Sequence, residues 1–352
     1  MKIINPDPQA DKDKKSRNFW KRADFWVILI LLAIASAFYR DSWHEIREGM
    51  RRITRKELAY SILLSAAAYL LEGMTIACMM STVRHSFPVK QGTVIAYLCE
   101  FYRLITLGSG SGLAEIHYLH KSGIEAGTAT VLTMIQYICK RIAIMILGGA
   151  GFVVLFCGTD TRELCREYAC FMAAGCVISS VVIAGFLCIA LSSKITDVIY
   201  KTADWLCMKL PSWEKRVHIW KEQVALLNRS GKVIMEQRWK ITQAILMQTG
   251  KLLLFYAIPV YLFQKNLPLL NGLPGWKEGI FLMAVVYMLS GVIPAPSGVG
   301  SLEFVFLLFF SRFAKAQAVV PAVLTFRFVT WILPSAVGGV MKVFGKKEWP
   351  LI

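Results

Sequence analysis

Long apolar runs alternate with short charged stretches along the chain, and their lengths predict helices that cross a membrane. A helix needs about 20 apolar residues to span the hydrocarbon core, and several runs reach that length. Three others, 93–107, 279–293 and 304–313, are shorter and end at glycine- or proline-rich sequence, which is typical of broken or re-entrant helices. The complete set of runs is 25–39, 59–80, 93–107, 127–156, 168–191, 241–263, 279–293, 304–313 and 318–341.

The composition excludes a soluble globular protein. Hydrophobic residues make up 56% of the chain, charged residues make up 18%, and the mean hydropathy is +0.51. Soluble domains contain about 25% charged residues, so this chain lacks the polar surface that water would require. The fold class that follows is an all-α integral membrane protein, built as a polytopic helical bundle.

The distribution of positive charge predicts how the chain is oriented in the membrane. The formal net charge is +17, and Lys and Arg concentrate in cytoplasmic segments of membrane proteins. The tail 1–24, the amphipathic connector 192–240 and the tail 346–352 are therefore predicted to be cytoplasmic. They flank or interrupt a single transmembrane domain, 25–345. The basic stretch 40–58 conflicts with this orientation, because it lies outside if successive loops alternate between the two sides of the membrane. No DNA- or RNA-binding motif accompanies the charge, so no nucleic-acid partner is predicted.

The sequence predicts neither a metal site nor a cofactor. The nine cysteines form no Cys-x-x-Cys pair, and the five histidines show no spacing typical of a metal site. Neither a P-loop nor a Gly-x-Ser-x-Gly motif occurs, so no ATP-driven step and no catalytic residue are predicted. A disulfide among Cys157, Cys165 and Cys170 stays open.

One short motif, Gly-x-Gly-x-x-Glu, occurs twice. In both copies it is followed by an apolar stretch with an arginine, and then by a pair of glycines. The recurrence of all three features in the same order argues against chance, and the final Glu excludes a dinucleotide-binding fingerprint. The first copy comprises Gly110, Gly112, Glu115, Arg141 and the pair Gly148-Gly149, and the second comprises Gly298, Gly300, Glu303, Arg327 and the pair Gly338-Gly339.

The predicted orientation makes the two copies an inverted repeat. The first motif then lies in a hairpin entered from the cytoplasm, and the second lies in a hairpin entered from outside. Inverted repeats bind substrates near the membrane midplane, where helices are interrupted. Pro296 falls in the loop before the second motif, where it removes an amide donor. We therefore expect repeat 1 (about 59–156) and repeat 2 (about 241–341) to flank a substrate cavity.

Nine charged residues fall in or beside apolar runs, where a charge at the bilayer centre costs about 2.5–3.5 kcal/mol on insertion scales. We expect these residues to face the protein interior and to pair. Glu303 is predicted to pair with Arg327, and the pair either locks two helices together or contacts substrate. The nine residues are Glu72, Glu100, Arg103, Glu115, Lys140, Arg141, Lys251, Glu303 and Arg327.

The segments 101–123 and 293–339 resemble the lysylphosphatidylglycerol synthase transmembrane region family, which includes the flippase half of the bacterial multiple peptide resistance factor. The resemblance covers about residues 20–345. It implies two re-entrant hairpins that move aminoacylated phosphatidylglycerol from the inner to the outer leaflet of the bacterial plasma membrane. It also implies that Glu303 and Arg327 contact the lipid headgroup. The further candidates for this site are Gly110, Gly112, Glu115, Arg141, Pro296, Gly298 and Gly300.

Three functions stay open at this point. The first is a flippase for phosphatidylglycerol, its lysyl ester or a related phospholipid. The second is a phosphatidylglycerol lysyltransferase or the membrane subunit of one, although no soluble domain for lysyl-tRNA is evident, so we expect no such activity from this chain alone. The third is a lipid-binding scaffold that does not transport. The expected partners are the membrane and an anionic or aminoacylated phospholipid, and both a homo-oligomer and a separate synthase chain stay open.

Overall fold

The computed structural model describes part of the chain, and every helix named below belongs to one compact unit, Ile53–Ile352. The described residues form helices and connecting turns without a β-strand, which confirms the prediction of an all-α fold. The predicted tails 1–24 and 346–352 lie outside the described residues, as do Pro296 and Gly298. The described residues are 51, 53–84, 86–106, 108, 110–158, 161–191, 234, 236–265, 275–293, 300–314 and 316–344.

Six helices make up the first half of the described unit. The first, α1 (Arg55–Met80), begins with a capping box in which two backbone N–H groups are satisfied reciprocally. The N–H of Thr54 donates to Glu57 Oε2 at 2.8 Å, and the N–H of Glu57 donates to Thr54 Oγ1 at 3.3 Å. The others are α2 (Val89–Ile105), α3 (Gly110–Lys121), α4 (Ala126–Cys157), α5 (Arg162–Glu167) and α6 (Ala169–Leu191).

The second half contains five α-helices and one π-helical turn. The N-cap residue of one of them is Gly300, whose φ of 86° lies in the left-handed region that favours glycine. The elements are α7 (Arg238–Lys265), α8 (Trp276–Ser290), α9 (Ser301–Phe310), α10 (Ala316–Arg327), the π-helical turn (Phe328–Ile332) and α11 (Leu333–Phe344).

Pro334 accounts for the hydrogen bonding around the π-helical turn. Proline has no N–H, so Pro334 cannot donate to the carbonyl four residues earlier, as in an α-helix, or five earlier, as in a π-helix. Side chains of α1 donate to those two carbonyls instead. Ser65 Oγ lies 2.6 Å from Val329 O, and Tyr69 Oη lies 2.8 Å from Thr330 O. These bonds hold the interrupted last helix against α1.

The helix lengths confirm a polytopic membrane protein. Four described helical stretches are long and apolar enough to cross a membrane, namely Arg55–Met80, Ala126–Cys157, Arg238–Gln264 and Ala318–Phe344. The three short apolar runs form α2, α8 and α9, and glycine- or proline-rich sequence follows α2 and α8 and precedes α9. The re-entrant path of these helices, their inverted orientation and the domain boundaries stay predictions. The run 25–39 and most of the connector 192–240 lie outside the described residues.

The two halves pack against each other reciprocally. Helix α1 packs along α7, α4 packs on α8, and α11 packs on α2. The repeated glycines lie at the latter two contacts. A Cβ at Gly148 would lie 2.6 Å from Met288 Sδ on α8, and a Cβ at Gly338 would lie 2.1 Å from the carbonyl oxygen of Tyr97 on α2. In each half, a glycine of a helical stretch long enough to span a membrane therefore permits close approach to a helix of the other half.

Candidate functional site

Glu303 and Arg327 form a two-pronged ion pair between α9 and the end of α10. Arg327 Nε donates to Glu303 Oε1 at 2.7 Å, and its Nη2 donates to Oε2 at 3.0 Å. Oε2 also accepts the backbone N–H of Gly300 at 2.8 Å. The predicted pairing is confirmed. Because both carboxylate oxygens are engaged within the protein, the geometry favours a pair that joins two helices.

Two further ion pairs neutralise carboxylates inside the bundle, as predicted. Lys251 Nζ lies 2.9 Å from Glu72 Oε2 and joins α7 to α1. Gln248 Nε2 donates to the same oxygen at 2.7 Å. Arg103 Nη1 lies 3.2 Å from Oε1 of Glu100, one turn earlier on α2. Each of these carboxylates therefore has a cation of its own.

Three cavities among the helices share Arg103 and Lys140 as lining residues. The first, here called the cationic cavity, and the second, the carboxylate cavity, each enclose about 250 Å³, and the third encloses about 30 Å³. The charged residues that line the cationic cavity are Arg103, Lys140, Arg141 and Arg327. Those that line the carboxylate cavity are Glu72, Glu100, Glu115, Arg103 and Lys140. Arg103 and Lys140 thus line both a cavity whose charged residues are all cations and a cavity that also contains three carboxylates.

The cationic cavity contains positive charge that the described protein does not compensate. None of its described lining residues is Asp or Glu. Lys140 and Arg141 form no ion pair with a described residue, and Nε of Arg141 donates to the hydroxyl of Tyr137 at 2.8 Å. A Cβ at Gly291 would lie 2.8 Å from Arg141 Nη1, so this glycine leaves room for the guanidinium. The cavity is therefore suited to an anion such as a phosphate.

Glu115 is the exception among the carboxylates. Its Oε1 atom is buried and has no hydrogen-bond partner among the described residues. The prediction that all of the membrane-depth charges pair is therefore wrong for Glu115, as it is for Lys140 and Arg141. Arg141, which follows Glu115 in the repeat as Arg327 follows Glu303, bonds instead to Tyr137, one turn earlier on its own helix. The two copies of the motif consequently differ in charge pairing.

The predicted site residues are divided between lining and supporting positions. Those that line a cavity are Arg141 and Arg327 in the cationic cavity, and Gly112 and Glu115 in the carboxylate cavity. Gly110 supports the first hairpin, because its N–H donates to Thr106 Oγ1 at 2.7 Å. Gly300 supports the second hairpin, because its N–H donates to Glu303. Glu303 itself does not line any of the three cavities.

Several residues of the site were not predicted from the sequence. Arg103 and Lys140 were expected only to be buried and paired, yet they line all three cavities. Lys140 could have been selected from its position directly before Arg141, because two adjacent cations in an apolar helix are unusual. Gln136 and Gln248 line the carboxylate cavity, and a neutral amide in an apolar helix gives no comparable signal.

The fold and the charged cavities define a polytopic helical membrane protein whose bundle contains charges of both signs that form no ion pair with any described residue. The family model described as the lysylphosphatidylglycerol synthase TM region matches residues 25–338. The chain belongs to this family, as the resemblance predicted, and it has a membrane role in lysylphosphatidylglycerol metabolism. A search of curated proteins finds no match to the chain.

Proposed function

We propose that this protein is a flippase that moves phosphatidylglycerol or its lysyl ester between the leaflets of the bacterial plasma membrane, with both chain termini in the cytoplasm. The observation that carries the proposal is the cationic cavity, where Lys140 and Arg141 have no ion-pair partner among the described residues. A phosphate diester supplies the missing negative charge. Arginine binds phosphate oxygens through a planar set of donors, and lysine adds a compact positive charge.

The position of the cavity inside the bundle supports translocation. A charged headgroup that crossed the hydrocarbon core unaided would lose its hydration, which is costly for any ion. Inside the protein, the headgroup would exchange water for the fixed charges of Lys140 and Arg141. The short helices α2, α3, α8 and α9 contribute lining residues to the cavities, and interrupted helices at membrane depth are typical of transporter substrate sites.

The Glu303–Arg327 pair has a positioning role in this proposal. Glu303 engages both of its oxygens within the protein and holds the Arg327 guanidinium at the wall of the cationic cavity. The guanidinium contributes positive potential to the cavity, while the carboxylate limits the repulsion among four neighbouring cations. The headgroup contacts are therefore assigned to Lys140 and Arg141, with Arg327 as a support.

A leaflet assay tests the proposal. Purified protein is reconstituted into vesicles with a trace of phosphatidylglycerol or lysyl-phosphatidylglycerol that carries a fluorophore on one acyl chain. An impermeant reductant then bleaches the outer leaflet. Bleaching should proceed well beyond one half with the wild-type protein. Arg141→Gln should slow the exchange about tenfold or more, because a hydrogen bond to a charged group contributes about 1.5–3 kcal/mol and 1.4 kcal/mol is a factor of ten.

The matched control is Arg312→Gln, the same substitution at a half-exposed arginine that pairs with Glu167 outside the cavities. It should exchange lipid as the wild type does. Bleaching that stops at one half for both lipids, with folded protein in every vesicle, would contradict the proposal. That result would instead favour the membrane subunit of a synthase or a scaffold that binds lipid without moving it.

A further inference from the structure

The carboxylate cavity contains polar atoms that the proposed function does not use. Four buried atoms on its lining side chains have no hydrogen-bond partner among the described residues, namely Glu115 Oε1, Thr133 Oγ1, Gln136 Nε2 and Gln248 Oε1. Gln136 is 5% exposed and Gln248 is 1% exposed, and buried polar atoms in folded proteins are almost always satisfied. Because one of the four atoms belongs to a carboxyl group, the hydrogen bonds available in this cavity depend on whether that group carries a proton.

Glu115 differs from the other carboxylates of this cavity because no described cation pairs with it. Glu72 and Glu100 each have a cation of their own. A buried charge without a partner is costly, and either a metal cation or a proton would neutralise it. A metal cation requires oxygen ligands on several sides, but the Gln136 N–H₂ group and the Lys140 ammonium contribute donors to this cavity. A proton requires only the carboxylate itself, so the surroundings of Glu115 favour a proton.

The unsatisfied atoms of the cavity include partners for both protonation states of Glu115. Gln248 Nε2 donates to Glu72, and since a carboxylate accepts, Gln248 Oε1 is left as an acceptor. A protonated Glu115 has an O–H group that suits this acceptor. An ionised Glu115 suits the Gln136 N–H₂ group, which is a donor, and the Thr133 hydroxyl can either donate or accept. The lining therefore supports the loss of a proton as well as its binding.

The other titratable and charged groups of the cavity come from three neighbouring helices. Helix α3, which carries Glu115, packs on α2 and α4. The groups that α2 and α4 contribute are Cys99, Glu100, Arg103, Tyr137 and Lys140. Helix α1 contributes Tyr69 and Glu72, and the latter pairs with Lys251 of α7. Lys140 forms no ion pair with a described residue, so its ammonium responds most directly to the charge on Glu115.

We propose that lipid movement is coupled to proton movement, and that Glu115 carries one proton in the same direction as each headgroup phosphate. The proposal rests on the proposed function and adds a proton gradient as its energy source. The proton converts the Glu115 carboxylate into a neutral carboxyl group on one side of the membrane. Its release on the other side restores the carboxylate. One proton balances the single negative charge of a phosphate diester, so the movement of phosphatidylglycerol is electrically neutral.

Lys140 is the residue that links the two events, because it lines both the cationic and the carboxylate cavity. Ionised Glu115 attracts the Lys140 ammonium and so competes with the phosphate for it. Protonated Glu115 has no charge, and the ammonium is then available to the phosphate beside Arg141. The linkage is reciprocal, so phosphate binding in the cationic cavity must favour proton binding at Glu115 by the same factor.

The first test measures proton uptake on binding, without transport. Short-chain phosphatidylglycerol is mixed with detergent-purified protein in weak buffer that contains a pH-indicator dye, over a series of pH values. Uptake by the wild type should reach a maximum that approaches one proton per bound lipid and should fall on either side of it. Glu115→Gln should bind the lipid without proton uptake. Glu125→Gln removes an exposed carboxylate outside the three cavities and should behave as the wild type does.

The second test measures the coupling in vesicles that contain phosphatidylglycerol with a fluorophore on one acyl chain. The interior is set one pH unit more alkaline than the exterior, and valinomycin with equal potassium on both sides holds the membrane potential at zero. At equilibrium, the fast phase of bleaching should fall from one half to about one tenth of the fluorescence, because one proton per lipid gives a tenfold excess in the inner leaflet. Folded Glu115→Gln should stay at one half, as should vesicles without protein.

The outcomes separate this proposal from the proposed function. Lipid binding by the wild type without proton uptake at any pH would overturn it, and this measurement needs no variant. Equal proton uptake by folded Glu115→Gln would also overturn it. Lipid exchange that stays at one half under the gradient would refute the coupling and retain the flippase. Proton uptake on lipid binding without lipid exchange would refute the flippase and retain Glu115 as a proton site that is linked to phosphate binding.

Discussion

Removing Glu303 should destabilise the protein more than removing Arg327, because the two losses leave different charges behind. Glu303→Gln leaves the Arg327 guanidinium without its carboxylate and beside three other cationic groups. Arg327→Met instead removes one of the four positive charges of the cavity. Breaking a buried ion pair from one side costs about 3–5 kcal/mol. The two side chains are 13% and 18% exposed, so some solvent screening remains. We therefore expect about 2–3 kcal/mol for Glu303→Gln and about 1–2 kcal/mol for Arg327→Met.

The double variant provides the sharper test. Each single substitution leaves a charge or an acceptor without its partner, whereas the double variant removes both, so its cost should be smaller than the sum by about 1–2 kcal/mol. Free energies of unfolding are measured by titrating the protein from a native detergent into a denaturing one. The same cycle at Arg312 and Glu167, a pair that is 54% and 48% exposed, is the control and should give a much smaller coupling, because solvent screens the interaction of an exposed pair.

Lipid exchange by the same variants distinguishes a positioning role from direct contact. If the pair acts through helix packing and cavity potential, the folded double variant should exchange lipid within about tenfold of the wild-type rate. A coupling no larger than that of the control pair would refute the structural argument for the pair. Complete loss of exchange in a double variant as stable as the wild type would show that the pair touches the headgroup.

Two further predictions concern the packing of the last helix. Tyr69→Phe should cost about 1–3 kcal/mol, because it leaves the carbonyl of Thr330 without a donor; an unchanged free energy of unfolding would contradict this account. Gly338→Ala should prevent accumulation of folded protein, because its Cβ would lie 2.1 Å from the backbone oxygen of Tyr97, whereas Gly149→Ala has open space and should raise stability by up to about 1 kcal/mol. Size-exclusion profiles and melting temperatures compare these two variants, and equal behaviour would contradict the packing model.

The sequence was informative wherever a chemical rule links residue type to position. Membrane burial followed from apolar run length, and the interruptions after α2 and α8 followed from glycine and proline. The Glu303–Arg327 pair followed from the cost of an unpaired charge in the membrane. The same rule failed for Glu115, because the partner of Arg141 depends on helix geometry. Tyr137 is one turn from Arg141 on α4 and therefore within reach wherever the neighbouring helices lie.

The acceptor atoms of the carboxylate cavity could not be predicted for a related reason. Gln248 matters because its amide is oriented by Glu72, and that contact joins α7 to α1 across 176 positions of the chain. Helix periodicity describes which residues share a face, but it does not specify which helix that face meets. The contacts between α4 and α8 and between α11 and α2 require the close approach at Gly148 and Gly338, and their partners are fixed only in three dimensions.

The differing charge pairing in two similarly packed halves has a consequence for transport. If both copies of the motif had paired their carboxylate with an arginine, no unpaired negative charge would remain for a ligand. If neither copy had paired its carboxylate with its arginine, Glu303 would not be held beside Arg327. Its carboxylate would then not limit the repulsion among the four cations of the cationic cavity. The second copy instead pairs Glu303 with Arg327, while the first leaves Glu115 and Arg141 apart, in cavities that share Lys140. On the proposed function, the second copy supports the site, and Arg141 of the first copy binds the phosphate of the headgroup. Exchange should therefore be more sensitive to Arg141→Gln than to the double removal of Glu303 and Arg327, although the latter pair has the stronger contacts within the protein.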